Sequence, residues 1–189
     1  MKRIYFNIQK TFTTTTEEQK AIQKAAIIKR FNKNEFFLRE GEVCNSIGFI
    51  EKGSMRLYYD SPDKEACNDF FFENSVVGSF ASFFSETPSI VNIVAIEESE
   101  IILFEKQQIG KLIQEYPALK RLSEFIIHEQ FIRAEKREES LLKFSPEVRF
   151  KNLLEEHPKI FKRIPLHYVA SYLNITPETL SRYRTKFLP

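Results

Sequence analysis

Residues 166–183 read LHYVASYLNITPETLSRY, and their pattern defines the architecture of the C-terminal part of the chain. Two short helices that cross at a steep angle need a small residue at their closest approach, and Ala170 meets that need. The turn between them requires a positive φ, which Asn174 tolerates better than most residues. The apolar residues that would fill the shared core are Val169, Leu173, Ile175, Leu180 and Tyr183. Together these positions predict a helix-turn-helix.

The second of these helices has a clear start and two different faces. Thr176 can cap it, Pro177 suits its first position, and Glu178 complements the positive end of its dipole. On a helical wheel the inward positions are Leu180, Tyr183 and Phe187. The outward positions are Glu178, Arg182 and Thr185, flanked by Ser181 and Lys186. An outward face without a large apolar residue indicates a surface for a polar partner.

The charge distribution indicates that this partner is anionic. Residues 149–189 contain eight Lys or Arg and three acidic residues, a net charge of +5, whereas the rest of the chain has 20 basic and 23 acidic residues, a net charge of −3. A basic module on a mildly acidic body favours double-stranded DNA. The predicted DNA-binding residues are Thr176, Glu178, Thr179, Ser181, Arg182, Arg184, Thr185 and Lys186. Further phosphate contacts are expected from Arg149, Lys151, Lys162 and Arg163.

Three of these residues have specific expected roles. Arg182 suits a bidentate contact with guanine. Arg184 lies close to the apolar face, so it is expected to pack its stem there and reach a phosphate. Glu178 has two interpretations that the sequence does not separate: it accepts from a cytosine amino group, or it only complements the helix dipole.

The N-terminal part has the composition of an α+β fold with a β-roll. Thr16 as cap, with Gln19 three residues later, predicts a helix to about Ala26. Residues 27–105 then form short β-rich runs separated by turn residues, typical of a small jelly-roll-like barrel. Within them, 47–57 reads as a hairpin with Gly53 in its turn, and Met55, Leu57 and Tyr59 alternate as in a half-buried strand.

A long helix is predicted over 117–143, because apolar residues recur three or four positions apart and no proline interrupts the segment before Pro146. Such a helix cannot bury its apolar stripe along its whole length on a compact barrel, so we expect a homodimer that pairs through Leu119, Leu122 and Ile126. The alternative is a linker helix packed on the barrel alone. The predicted domains are 1–115, 116–143 and 144–189.

These features resemble the Crp/Fnr superfamily of bacterial transcription regulators. Arg39-Glu40-Gly41-Glu42 followed by residues 47–57 looks like the paired-glycine pattern of that family's β-roll, and Val76-Val77-Gly78 is similar to the step before its nucleotide-phosphate cassette. Glu178 and Arg182 fall on the family's base-contacting positions. The resemblance implies a homodimer on an inverted-repeat operator, an unknown small-molecule effector, and RNA polymerase as a candidate partner. Many members add a β-hairpin wing after the reading helix, and none is expected here.

The phosphate cassette departs from the family pattern. Ser79 follows Gly78 where cyclic-nucleotide binders have glutamate, and Ser89 or Pro88 stands where they have arginine. From Glu65 through Glu105 there is no Lys or Arg but there are eight acids, and a buried phosphate without a cation is costly. We therefore expect no tight binding of cAMP or cGMP. A small polar pocket remains a weaker hypothesis, with candidate residues Gly78, Ser79, Ser82 and Ser89.

Other functions find little support. Two cysteines, Cys44 and Cys67, argue against a disulfide framework, a zinc site or an iron–sulfur cluster, and no histidine lies in the roll to ligate haem. We expect no metal, no cofactor, no signal peptide and no membrane span, hence a cytoplasmic protein. No catalytic constellation indicates an enzyme. A rival interpretation is a ligand-binding roll whose C-terminal module makes protein contacts.

Overall fold

The computed structural model of the chain describes residues 14–158 and 160–188. The N-terminal stretch 1–10, where no signal peptide is expected, and Lys159 lie outside the described residues. The chain divides into two compact units. The first comprises Met1–Tyr58 with Phe70–His128, and the second comprises Tyr59–Asp69 with Glu129–Pro189. The three domain limits taken from the sequence stay a prediction.

Helices and strands occupy most of the described chain. The strands are β1 (Ile27–Phe31), β2 (Phe36–Leu38), β3 (Ser46–Lys52), β4 (Met55–Ser61), β5 (Lys64–Phe71), β6 (Val76–Val77), β7 (Asn92–Ala95) and β8 (Ser99–Glu105). The helices are α1 (Thr16–Ala25), α2 (Phe80–Ser85), α3 (Lys106–Glu115), a 3-10 turn (Pro117–Leu119), α4 (Lys120–Lys143), α5 (Pro146–Glu156), α6 (Ile160–Arg163), α7 (Leu166–Tyr172) and α8 (Pro177–Phe187). Among the described residues, no helix is both long and apolar enough to cross a lipid bilayer.

The strands form two four-stranded sheets, in the orders β1-β8-β3-β6 and β2-β7-β4-β5. Their inner faces enclose an apolar core that includes Phe31, Ile50, Met55, Ile93 and Ile101. Gly48 lies on the inner face. A Cβ there would come within 2.6 Å of the Ile101 side chain and 2.9 Å of the Val77 side chain, so the position has no room for a side chain. The predicted mixed α and β composition with a strand-rich N-terminal part is confirmed.

The expected 47–57 hairpin is wrong. β3 pairs with β8 and β6, whereas β4 pairs with β7 and belongs to the other sheet. Gly53, with φ 98°, is the corner where the chain passes between sheets, and a Cβ there would lie 2.6 Å from the Cα of Ser99. A positive-φ glycine between two strands is common to both arrangements, so local sequence does not distinguish a corner from a hairpin.

Two smaller expectations also need correction. The cap of α1 is Thr15, not Thr16, and its capping-box partner is Glu18, not Gln19. β4 is not half-buried by simple alternation: Arg56 and Tyr58 are each only 5% exposed, whereas Tyr59 is 40% exposed. The cap was misplaced because neighbouring threonines satisfy the same capping rule. The burial of β4 was misjudged because alternation in a strand does not reveal what covers its second face.

Helices cover the outer face of the first sheet. Ile102 and Phe104 of β8 pack there with Ile22 of α1 and Leu119 of the 3-10 turn. The predicted 117–143 helix is present as the 3-10 turn followed by α4. Leu119 is 7% exposed and packs within its own unit, so this residue is not free to meet a second copy.

In the second unit, the four short helices α5 to α8 enclose a small core. Phe150 is fully buried, with ring centroids 5.3 Å from Phe161, 5.6 Å from Tyr183 and 5.8 Å from Phe187. The predicted helix starts are confirmed, since the Ser145 hydroxyl accepts from Val148 N–H and the Thr176 hydroxyl accepts from Thr179 N–H. This core holds α8 with its apolar side inward.

Candidate nucleic-acid interface

The turn between α7 and α8 has the geometry predicted from Asn174. Asn174 has a φ of 50°. Its N–H donates to Ser171 O and the N–H of Ile175 donates to Ala170 O, both at 3.0 Å. This is the Schellman pattern of helix ends, with asparagine in the left-handed position. Ala170 and Leu173 are each 1% exposed, so the two helices meet closely.

Two arginines satisfy the carbonyl groups that remain at the end of α7. Arg149 of α5 donates to Leu173 O through Nε at 3.1 Å and Nη2 at 2.9 Å, and to Phe144 O through Nη1 at 2.7 Å. Arg137 of α4 donates to Tyr172 O at 2.6 Å and lies 4.0 Å from the centre of the Tyr172 ring. The last carbonyls of a helix have no partner in the helix itself, so these contacts complete the turn.

The expected phosphate role of Arg149 is therefore wrong. Its side chain is buried, its donors are used inside the protein, and burial lowers the pKa of its guanidinium. The sequence analysis counted Arg149 only as a positive charge and overlooked Arg137. The contacts of these arginines with the end of α7 have no local signal, because Leu173 O and Tyr172 O are 24 and 35 residues away from Arg149 and Arg137 along the chain.

Ser171 fastens α7 to the edge of β5. Its hydroxyl accepts from Cys67 N–H and donates to Glu65 O, both at 2.9 Å, so it binds the strand as a neighbouring strand would. Two residues further along β5, Asp69 forms an ion pair of 2.6 Å with Arg133 of α4. The contacts from β5 and α4 thus hold α7, and none of them covers α8.

The two faces of α8 are as the helical wheel predicts. Leu180 is 1% exposed, and Tyr183 and Phe187 pack on Phe150. The exposed residues are Thr176, Glu178, Ser181, Arg182, Thr185 and Lys186, with Thr179 and Arg184 half-buried. Six of the eight predicted DNA-binding residues are therefore exposed, and we call the surface that these six form the α8 face.

Internal contacts orient several side chains of α8. Arg182 donates to the Thr179 hydroxyl at 3.2 Å. A hydrogen bond from the Thr176 hydroxyl and one from its own backbone N–H lower the pKa of Glu178, a contact typical of a helix cap. Arg184 is half-buried and its Nε is buried without a hydrogen-bond partner, as expected if its stem packs against the helices.

Lysines at the border of the α8 face share one carboxylate. Lys151 and Lys186 lie 3.0 Å and 3.1 Å from the carboxylate oxygens of Glu147, and these two ammonium groups lower the pKa of Glu147. Both lysines also lie over the ring of Phe187, at 4.7 Å and 4.8 Å. Exposed ion pairs of this kind are weak, so each lysine can exchange its partner for a phosphate.

The candidate pocket residues of the roll are used internally. The Ser82 hydroxyl accepts from Cys44 N–H at 2.9 Å and donates to Thr87 O at 2.6 Å, and the Ser89 hydroxyl donates to Val91 O at 2.9 Å. Ser79 begins α2 without a side-chain cap. A Cβ on Gly78 would meet Ser46 O at 3.6 Å, an ordinary contact. These hydroxyls stabilise loops, and the pocket hypothesis draws no support from them.

Comparison with known proteins agrees with this architecture. Residues 28–116 match the model of the cyclic nucleotide-binding domain family. FixK2 from Bradyrhizobium japonicum superposes with a TM-score of 0.74 at 18% identity, covering 85% of this chain and 83% of FixK2. A Eubacterium rectale protein assigned to the Crp/Fnr family of transcriptional regulators gives a TM-score of 0.68 at 18% identity, covering 97% and 87%. The Thermus thermophilus catabolite activator protein gives 0.58 at 17%, covering 91% and 83%.

The resemblance to the Crp/Fnr superfamily therefore extends from the sequence motifs to the fold. Residues 28–116 match the cyclic nucleotide-binding domain family, and the fold over most of the chain is similar to that of solved Crp/Fnr regulators. The named neighbours are regulators and not enzymes. No sequence among the curated proteins matches the chain.

Proposed function

We propose that this protein is a homodimeric, sequence-specific transcription regulator that binds double-stranded DNA through the α8 face. One observation carries the proposal: α8 buries its apolar side on Phe150 and presents Glu178, Arg182 and Thr185 to solvent. An α-helix with an exposed polar face and a buried apolar face fits the major groove, where arginine recognises guanine.

The proposed dimer rests on the exposed apolar residues of α4. Ile127, Phe131, Ile132 and Leu142 are exposed by 37%, 65%, 45% and 80%. Exposed apolar residues in this number on one helix indicate an interface. Leu119 is buried in its own unit, Leu122 packs on the same cluster, and Ile126 lines a cavity of that unit, so the proposed dimer contact moves to these exposed residues. Two-fold symmetry then makes the operator an inverted repeat with half-sites about one helical turn apart.

Binding to DNA is tested by selecting genomic fragments on the full-length protein and titrating the enriched sequence at several salt concentrations. We expect an inverted repeat, and an affinity that falls steeply with salt because phosphate contacts release counterions. Absence of enrichment, or an affinity that does not change with salt, would favour the rival in which the C-terminal module contacts protein.

The regulator is proposed not to respond to cAMP or cGMP. The cassette lacks the glutamate and arginine of the family's nucleotide binders, and the hydroxyls of Ser82 and Ser89 are already engaged. Calorimetric titration with cAMP and cGMP is expected to give no measurable heat of binding. Micromolar or tighter affinity would contradict this expectation.

A further inference from the structure

The first unit contains an apolar cavity of about 280 Å³ that the proposed function leaves unexplained. It lies on the outer face of the first sheet, against Phe49 and Phe104, and not in the roll interior, where Gly48 packs on Ile101. Its other walls come from α2, α3 and the first turns of α4, with Phe80, Ile113 and Ile126 among the lining residues. The cavity is distinct from the predicted polar pocket, because none of the four candidate residues of that pocket (Gly78, Ser79, Ser82 and Ser89) lines it.

The size and the lining restrict what can occupy this cavity. An apolar cavity of ~150 Å³ in another protein stays dry and binds benzene, so this one has room for roughly twice that bulk. Among the lining residues only Lys106 and Ser123 carry polar side chains. Water gains few hydrogen bonds in such a space, whereas an apolar molecule restores the missing contacts.

Lys106 supplies a charged group at the cavity. Its Nζ donates to Phe83 O at 2.6 Å and forms an ion pair of 2.7 Å with Glu86. An ammonium has three N–H donors, so one more bond can form. The Glu86 side chain is 71% exposed, and this carboxylate can turn into solvent at little cost. Lys106 is also the first cation after the uncharged and acidic stretch from Glu65 to Glu105.

We propose that this cavity is a binding site for one small amphipathic carboxylate, with its apolar body against the phenylalanines and its carboxylate on Lys106 in place of Glu86. The site would hold the effector of the proposed regulator, but its occupancy does not depend on DNA binding. The competing occupant is a second copy of the chain, because α4 contributes both to the cavity and to the proposed dimer contact.

Gly110 offers a way to fill the cavity without disturbing the fold. It lies in the middle of α3 and lines the cavity, and a Cβ there would meet no atom within 4 Å. Gly110→Leu adds bulk and also improves helix propensity. Ser123→Leu fills the cavity from the wall that α4 forms, opposite Gly110. Both variants are checked by thermal denaturation, so that loss of binding is not mistaken for loss of folding.

The test is calorimetric titration of the full-length protein, without DNA, with octanoate and with 1-octanol. We expect one octanoate per chain and weaker binding of the alcohol, with both lost in the two filling variants. Lys106→Met should reduce octanoate affinity about tenfold and leave the alcohol unchanged, because only the anion uses the ammonium. Glu86→Gln should raise octanoate affinity, since it removes the competing carboxylate. Lys111→Met, an exposed lysine on the same helix, is the matched control.

Three results would overturn the proposal. The first is that neither compound binds. The second is octanoate binding that survives both Gly110→Leu and Ser123→Leu. The third is that sedimentation of the ligand-free filling variants shows a changed oligomeric state, which assigns the cavity to the subunit contact. None of these calorimetric and sedimentation experiments contains DNA. A failure of the DNA selection would therefore leave their results unaffected, and the two proposals can fail separately.

Discussion

At the scale of single residues, the proposed function divides the side chains of α8 into candidates for base recognition and side chains that support the helix. Arg182 is exposed and oriented by Thr179, whereas Arg184 is partly buried along the helices. Glu178 is bonded to its own helix start. Arg182 and Glu178 are the two candidates for base recognition. Arg182 is exposed, whereas the carboxylate of Glu178 is already hydrogen-bonded at the start of α8.

Replacing Arg182 by alanine should weaken binding to the preferred DNA by ~1–3 kcal/mol and relax the preference at one base-pair position, because a bidentate contact with guanine is lost. Fluorescence anisotropy against the selected sequence and its single-base variants measures both effects. Arg30→Ala in the roll, where the side chain is 85% exposed, is the control. An equal loss on every sequence would count against base recognition.

Glu178→Gln separates the two roles left open for Glu178. Its lowered folded pKa means that the carboxylate stabilises α8 above the ordinary carboxyl pKa of about 4, and that this contribution is lost as pH falls through the folded pKa. We expect a lower melting temperature for the variant at neutral pH and no difference in strong acid. The base preference should not change. A changed preference at a G·C pair would instead support a contact with cytosine.

At the scale of elements, the α7–α8 pair depends on contacts from α4, α5 and β5. Arg137 and Arg149 bond consecutive carbonyls at the end of α7, and Ser171 bonds the edge of β5. Seven residues of helix cannot be stable alone in water. These contacts explain how so short a helix can carry the turn that positions α8.

Arg149→Met should lower the free energy of unfolding by about 2–4 kcal/mol, because it leaves Leu173 O and Phe144 O without their charged donor in a buried place. Chemical denaturation of the full-length protein measures the change. Lys151→Met on the same helix removes only exposed contacts, the ion pair with Glu147 and the position over the Phe187 ring, so its effect should stay below ~1 kcal/mol. Equal effects of the two substitutions would refute the role of Arg149.

At the scale of the whole molecule, the proposed contact between α4 and a second copy of the chain can be tested by placing a charge in it. Phe131→Glu places a charge at a residue that is 65% exposed in the single chain. Its cost should appear only in the dimer, where the charge would be buried without a partner. Analytical ultracentrifugation should show monomers for this variant and dimers for the parent chain. Glu135→Lys is the control at an exposed polar position, and an unchanged sedimentation coefficient for Phe131→Glu would argue against α4 as the interface.

How much the sequence reveals depends on the range over which each feature is determined. The caps at Ser145 and Thr176, the left-handed turn at Asn174 and the inward and outward faces of α8 all follow from residues within one or two helical turns. The shift of the α1 cap to Thr15 is an error of one residue inside a run of threonines.

Local sequence is sufficient to predict the helical pair at residues 166–187, the long helix of residues 117–143 and the strand-rich character of the roll, because helix periodicity, capping and turn chemistry act between near neighbours. The assignment of β3 and β4 to different sheets, the burial of Arg149 and the position of Lys106 beside an apolar cavity come from the folded chain alone. These features join residues far apart in the chain, and strand pairing, burial and cavities are properties of the packed chain that no local pattern contains.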